Sequence, residues 1–194
     1  MIFRKTLAIL TFSILSVFAI SAQKVALKTN LLTDAVLSPN LGIEVGLSPK
    51  WTLEGTYEMN AWTVNDHKWR HWFVQPEARY WFCNTFQGNF IGIHAIGGQF
   101  NFANIDNHFK LFNNDFSGLS DKRYQGWGAG AGVSYGHSWI LAKHWNMELE
   151  IGIGWIYTRY DVYPCEKCGT KLEEDKVHNY FGPTKLAWNI EYVF

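Results

Sequence analysis

From Gln23 onward the chain alternates apolar and polar residues with a period of two, the spacing of strands rather than helices. Eight segments carry the pattern: Lys24–Asp34, Asn40–Leu47, Trp51–Ala61, His71–Phe82, Asn89–Asn101, Tyr124–Ile140, Trp145–Tyr160 and Phe181–Phe194. The third is nearly perfect, setting Trp51, Leu53, Gly55, Tyr57 and Met59 against Thr52, Glu54, Thr56, Glu58 and Asn60. In the first, Leu32 breaks the pattern. Pro76 lies inside the fourth, where a proline removes a ladder donor and predicts a bulge or local break.

The content of the two faces predicts the environment. One face is crowded with Trp, Tyr, Leu, Ile and Val; the other alternates glycine and small polar groups with carboxylates. A glycine- and glutamate-rich face makes a poor soluble core. It suits the lumen of a membrane barrel, whose apolar side chains face lipid. The aromatics gather toward the strand ends in two belts: Trp51, Tyr80, Phe82, Trp139, Trp145, Tyr192 and Phe194 at one level, and Trp72, Trp127, Trp155 and Tyr157 at the other. Turns near 48–50, 83–88 and 140–144 are short, and loops near 61–70, 102–123 and 161–180 are longer and polar. The expected fold is therefore all-β, an eight-stranded antiparallel transmembrane β-barrel over residues 23–194, of the OmpA transmembrane type. A soluble lipocalin-like barrel is the alternative.

Composition agrees. Aromatics make up 17% of the chain, with 10 Trp, and 17 Lys+Arg balance 17 Asp+Glu, which gives no electrostatic case for nucleic acid. Residues 1–22 read as a signal peptide: Arg4 and Lys5, an apolar run from Leu7 to Ile20, then Ser21-Ala22 before the cut. The expected location is the outer membrane, with its lipid as the surrounding partner. Alternating apolar residues up to a terminal Phe194 look like the signal read by the barrel assembly machinery.

On this register Lys28, Glu44, Glu54, Glu58, Glu77, Arg79, Glu148, Glu150, Lys185 and Glu191 face the lumen. Buried charges must be paired, and the fork of Arg79 can bridge two carboxylates, so these residues predict a salt-bridge plug centred on Arg79. A gated ion path is the functional alternative, and the carboxylate excess calls for protonated or neutrally bonded Glu side chains. Glycines at 92, 98, 126, 128, 130, 132, 136, 152 and 154 leave room on one wall. Phe73, Arg79 and Trp81 are the expected fillers, a small apolar ligand the alternative. Cys165-x-x-Cys168 in the last loop is read first as a disulfide of an exported chain and second as a weak metal site completed by His178 or another loop histidine. Cys83 falls on the opposite side. Asp66-His67 and Asp106-Asn107-His108 supply residue types for a rim enzyme, a weak signal. No cofactor and no catalytic residue is expected.

The segments Lys28-Thr29-Asn30-Leu31-Leu32, Pro39-Asn40-Leu41-Gly42-Ile43-Glu44, Trp51-Thr52-Leu53, Gln75-Pro76-Glu77-Ala78-Arg79-Tyr80-Trp81 and Cys165-Glu166-Lys167-Cys168-Gly169 resemble an uncharacterised family of small outer-membrane proteins from Bacteroidota, known as a numbered domain of unknown function. The resemblance covers essentially the whole exported chain. It implies an outer-membrane barrel, often encoded near fimbrial or other surface-assembly genes, and no established activity. The leading functional expectation is a non-enzymatic structural or surface-assembly protein whose outer loops bind a surface or fimbrial partner. A narrow pore or small apolar-ligand carrier, and a rim enzyme acting on lipid or peptide, are the alternatives.

Overall fold

Alternation of this kind lets a strand bury one face only, and the chain satisfies that by curling its sheet until the first and last strands meet. The computed structural model describes residues 24–64, 67–103, 110–111, 114–115, 122–165 and 167–194. Residues 1–22, read above as a signal peptide, and Asp66 and Asp106–His108 lie outside the described residues. Eight long strands form the ring: β1 (Val25–Asn30), β2 (Asn40–Ser48), β3 (Trp51–Asn60), β4 (His67–Trp81), β5 (Gly88–Ala103), β6 (Arg123–Ile140), β7 (Trp145–Tyr163) and β8 (Glu173–Val193). Each pairs antiparallel with its neighbours in sequence. The ring closes where β1 pairs β8, Leu27 opposite Tyr192 and Asn30 opposite Asn189. Thr63–Val64 adds a short pairing to β4, and Lys110–Leu111 pairs Asn114–Asp115. Among the described residues no helix is long and apolar enough to cross a membrane.

Two strand boundaries differ most from the expected ones. The first strand stops at Asn30, and Leu31–Ala35 forms a short helix, α1. Asn30 causes the break: its side chain accepts from the Leu32 N–H and donates to the Leu186 carbonyl, an N-cap and a sheet contact made by one amide. That turn also accounts for the misplaced Leu32. The eighth strand begins at Glu173, eight residues before Phe181, because β7 and β8 continue as a projecting hairpin to Val162 opposite Glu173. Pro76 is accommodated without a register shift. The ladder with β5 lapses at Gln75 and Pro76, between Val74 opposite Gly97 and Glu77 opposite His94, while Pro76 still sits opposite Gly55 of β3.

The two faces are distributed as the alternation implies. Outward lie Leu53, Ile93, Val133, Leu149, Ile151, Ile153 and Leu186, all exposed; inward lie Glu44, Arg79, Glu148 and Glu191, all fully buried. The glycine wall is filled from inside the ring. Phe73 packs against Gly98 as expected, whereas Phe90 packs against Gly136, and His94 lies between Gly132 and Gly152. Arg79 stacks on the Phe90 ring, 4.4 Å to the centroid, and Trp81 packs on the same ring at 4.6 Å. A Cβ at Gly132 would stand 2.5 Å from the Ile153 carbonyl oxygen and 2.6 Å from Nε2 of the buried His94. Gly132→Val is expected to lower stability by about 1–3 kcal/mol, read from urea unfolding in detergent, since overpacking costs roughly that much. Gly55→Ala, where nothing lies within 4 Å of the new Cβ, should leave the midpoint unchanged. Equal midpoints for both variants would contradict this packing.

Candidate functional site

Charges gather at the middle of the ring because β2, β3, β4, β7 and β8 present carboxylates there at one level. Arg79 of β4 is the hub, with a side chain 0% exposed. Its guanidinium reaches Glu44 (2.7 Å), Glu54 (2.6 Å), Glu77 (3.1 Å), Glu148 (3.0 Å) and Glu150 (2.5 Å). Lys28 of β1 bridges Glu44 (2.5 Å), Glu54 (2.8 Å), Glu148 (3.3 Å) and Glu191 (2.9 Å). Lys185 of β8 bridges Glu54 (3.0 Å), Glu77 (2.5 Å) and Glu150 (3.1 Å). Three cations thus serve six carboxylates, and every carboxylate touches at least one cation. Such sharing offsets the desolvation that makes an isolated buried pair a poor stabiliser.

Neutral donors meet part of the remaining negative charge, while Glu44 Oε1 and Glu150 Oε1 are buried with no hydrogen-bond partner among the described residues. Ser134 Oγ donates to Glu77 (2.9 Å), Asn189 Nδ2 to Glu148 (2.7 Å), Thr56 Oγ1 to Glu54 (3.0 Å) and Ser138 Oγ to Glu191 (3.4 Å). One predicted member is absent. Glu58 sits higher in the ring, is partly exposed, and pairs with His71 Nε2 at 3.0 Å. Strand parity gave its direction correctly, but its height along the strand keeps it out of reach of Arg79. His94 was not among the expected network residues. It hydrogen-bonds Thr184 Oγ1 at 2.8 Å and lies 3.8 Å from Glu77.

Beneath the network the ring is filled by Trp81, Phe90 and Phe86, all buried, with Trp81 Nε1 donating to Thr52 Oγ1 at 2.9 Å. Phe86 comes from the turn before β5 and has a positive φ of 64°. Its carbonyl is held by Asn146 Nδ2 at 2.8 Å. Above the network, toward the projecting hairpin, lies a cavity of about 280 Å³ floored by Lys28, Glu54 and Lys185. Two carboxylate triads, Glu44–Glu148–Glu191 and Glu54–Glu77–Glu150, have spacings a metal ion could bridge. Lys28 and Lys185 already occupy the positions a cation would take.

The hairpin tip carries the cysteines. Cys165 and Cys168 form a disulfide, Cα–Cα 5.2 Å, so the thiolates of a metal site are consumed; His178 stands in β8 opposite Thr158. Cys83 is free and exposed in the turn after β4. Below the tip, Asp161 accepts the Asp175 N–H (3.0 Å) and pairs with Lys171 (3.0 Å), while Arg159 pairs with Asp175 (2.9 Å). These partners hold both aspartates below the usual carboxylate range. A depressed carboxyl stabilises above its ordinary pKa, near 4, and that contribution vanishes as pH falls through the lower folded value. The side-chain carboxyl carbon resonances of Asp161 and Asp175 are therefore expected to titrate below an ordinary aspartate as pH is lowered from 5 toward 2. Both titrating at the ordinary aspartate position would contradict these pairings.

No curated protein matches the chain, and no solved structure matches it. The family described as Protein of unknown function (DUF3575) matches residues 8–194. That match takes in every ring strand and every residue of the charge network, and with it this chain belongs to the DUF3575 family.

Proposed function

We propose that the chain is an outer-membrane β-barrel of a Bacteroidota bacterium, exported by a signal peptide over residues 1–22. It acts as a structural or surface-assembly protein whose outer loops bind a partner, rather than as a channel or an enzyme. The observation that carries this reading is the inversion of the two faces. Ile93, Val133 and Leu186 stand exposed around the ring while Arg79 and six glutamates are buried inside it. In water that arrangement would leave a continuous apolar belt without cover. In a bilayer it is the low-energy one, because the ring leaves no edge unpaired at membrane depth.

The filled interior supports the structural reading over the pore. Arg79 bonded to five carboxylates, with Trp81, Phe90 and Phe86 packed beneath, leaves no ready path for ions. In planar bilayers the purified protein is expected to give no discrete conductance steps. Regular cation-selective steps would replace the structural reading with the narrow-pore one. Partner binding is tested by a photo-crosslinking residue at Gly169, in the open hairpin tip, in intact cells. A discrete protein adduct there, absent when the probe sits at Thr85 on the other side, is the expected result; no adduct at Gly169 would remove the partner from the proposal.

A further inference from the structure

One sector of the outward face differs from the rest of the aromatic belt. Near the hairpin end of the ring, Met59, Trp72, Gln99 and Trp127 stand side by side on β3, β4, β5 and β6. The next outward row, farther from the ring's middle, is Arg70, Asn101, Gln125 and Asp161. Between them is a depression of about 510 Å³ that takes in both rows. Its lining includes the exposed Trp72 and Trp127 and the outward side-chain amides of Gln99, Asn101 and Gln125. Trp72 Nε1 donates to Gln99 Oε1 at 3.3 Å, and Asn101 Nδ2 donates to Gln125 Oε1 at 3.3 Å. That leaves the Gln99 and Gln125 amide nitrogens to donate. Asn101 Oδ1 is shielded from solvent with no hydrogen-bond partner among the described residues. Aromatic planes combined with paired amide donors and acceptors bind sugars: the C–H face of the ring stacks, and the hydroxyls take the amides.

Directly beneath the depression, toward the middle of the ring, the outward face narrows to small residues. Gly97 faces Ala129 and Ala95 faces Ala131, along the β5–β6 seam. A Cβ on Gly97 would meet nothing closer than the Gly128 carbonyl oxygen at 4.0 Å. The seam runs from the amide row down the apolar face, with Val74 on one flank and Tyr157 on the other, and Ile93 opposite Val133 closes it at the lower end. It gives an acyl chain a shallow track that continues straight from a sugar seated above. Exposed Arg70 stands at the upper margin, where a headgroup phosphate would lie.

We propose that this sector binds the phosphorylated saccharide headgroup of a surface glycolipid, with an acyl chain laid along the Gly97–Ala131 seam. The inference rests on the membrane reading and adds the lipid that reading leaves unspecified. The rings of Trp72 and Trp127 stack on the sugar, the Gln99 and Gln125 amide nitrogens donate to its hydroxyls, and Arg70 takes the phosphate. On the β7–β8 sector at the same level the outward pair is Arg159 and Val177, which offers neither aromatic plane nor amide.

The test is native mass spectrometry of the protein released from nanodiscs containing phosphatidylethanolamine, phosphatidylglycerol and lipid A, a phosphorylated and acylated glucosamine disaccharide. Wild-type protein is expected to retain lipid A in preference to either phospholipid. The double variant Q99L/Q125L should lose about tenfold of that retention, the effect of two hydrogen bonds, with phospholipid adducts and heat-shifted gel mobility unchanged. Equal retention of all three lipids, or undiminished lipid A on the double variant, would overturn the proposal. Binding of the deacylated disaccharide as tight as that of lipid A would overturn the lipid assignment in favour of a soluble sugar. Failure to enter nanodiscs would overturn the membrane reading and this inference together, whereas insertion without lipid A preference would overturn this inference alone.

Discussion

Replacing Arg79 with Met is expected to cost more stability than any other single substitution in the ring. The guanidinium lies within 3.1 Å of five carboxylates, and both it and they are almost wholly buried. Methionine fills much of the volume, so little of the loss comes from packing. What remains is a cluster of carboxylates whose cationic partners are Lys28 and Lys185, which stand on β1 and β8, on one side of it. Breaking one buried pair typically costs about 3–5 kcal/mol, because the surviving partner is stranded. Here one substitution strands several partners at once, with non-additive effects. The expected outcome is a fall of at least that size in unfolding free energy, measured in urea with detergent. Arg79→Lys should recover only part of it, since an ammonium is a point charge that cannot fork among carboxylates drawn from β2, β3, β4 and β7. An Arg79→Met variant that unfolds at the wild-type midpoint would show that the network contributes little.

The second large effect is expected outside the ring. Ile93 is 69% exposed and stands on β5 opposite Ala78 and Val133, near the middle of the apolar face. An exposed Ile→Arg change in water is close to neutral, within about 0.5 kcal/mol. The same change at a bilayer midplane costs about 2–4 kcal/mol, falling to about 0–1 kcal/mol near the interfaces. Ile93→Arg is therefore expected to lower folding into lipid vesicles strongly. Val177→Arg, on the projecting hairpin and 51% exposed, should change it little. Both variants are read by urea titration of vesicle-bound protein. Equal tolerance of the two would mean that the apolar face does not meet lipid.

Much of this arrangement was legible in the chain because a period of two leaves each residue only two directions to face. That was enough to place Lys28, Arg79 and Lys185 among the glutamates, and the fork of Arg79 marks it as the one side chain able to join several of them. Height was not legible. Glu58 has the same parity as Glu54, yet four residues along a strand carry it from the network to His71 near the mouth. The fillers of the glycine wall were also hidden. That His94 lies between Gly132 and Gly152 depends on the register of β5, β6 and β7, which no single segment encodes. The start of β8 was missed for a different reason. Residues Glu174 to Asn179 are exposed on both faces, so the alternation that marks a strand elsewhere vanishes there. Helix α1 hid inside an apolar stretch whose only signal was Asn30, a residue as common in turns as at helix caps.

The membrane placement of the ring is the claim on which the other readings rest. Gel mobility of the protein from isolated outer membranes, compared with and without boiling, tests it most directly. A detergent-resistant ring that keeps its charge network folded in the lipid fraction should run faster unboiled than boiled, and that is the predicted result. Recovery in the soluble periplasm, with one mobility under both conditions, would contradict it.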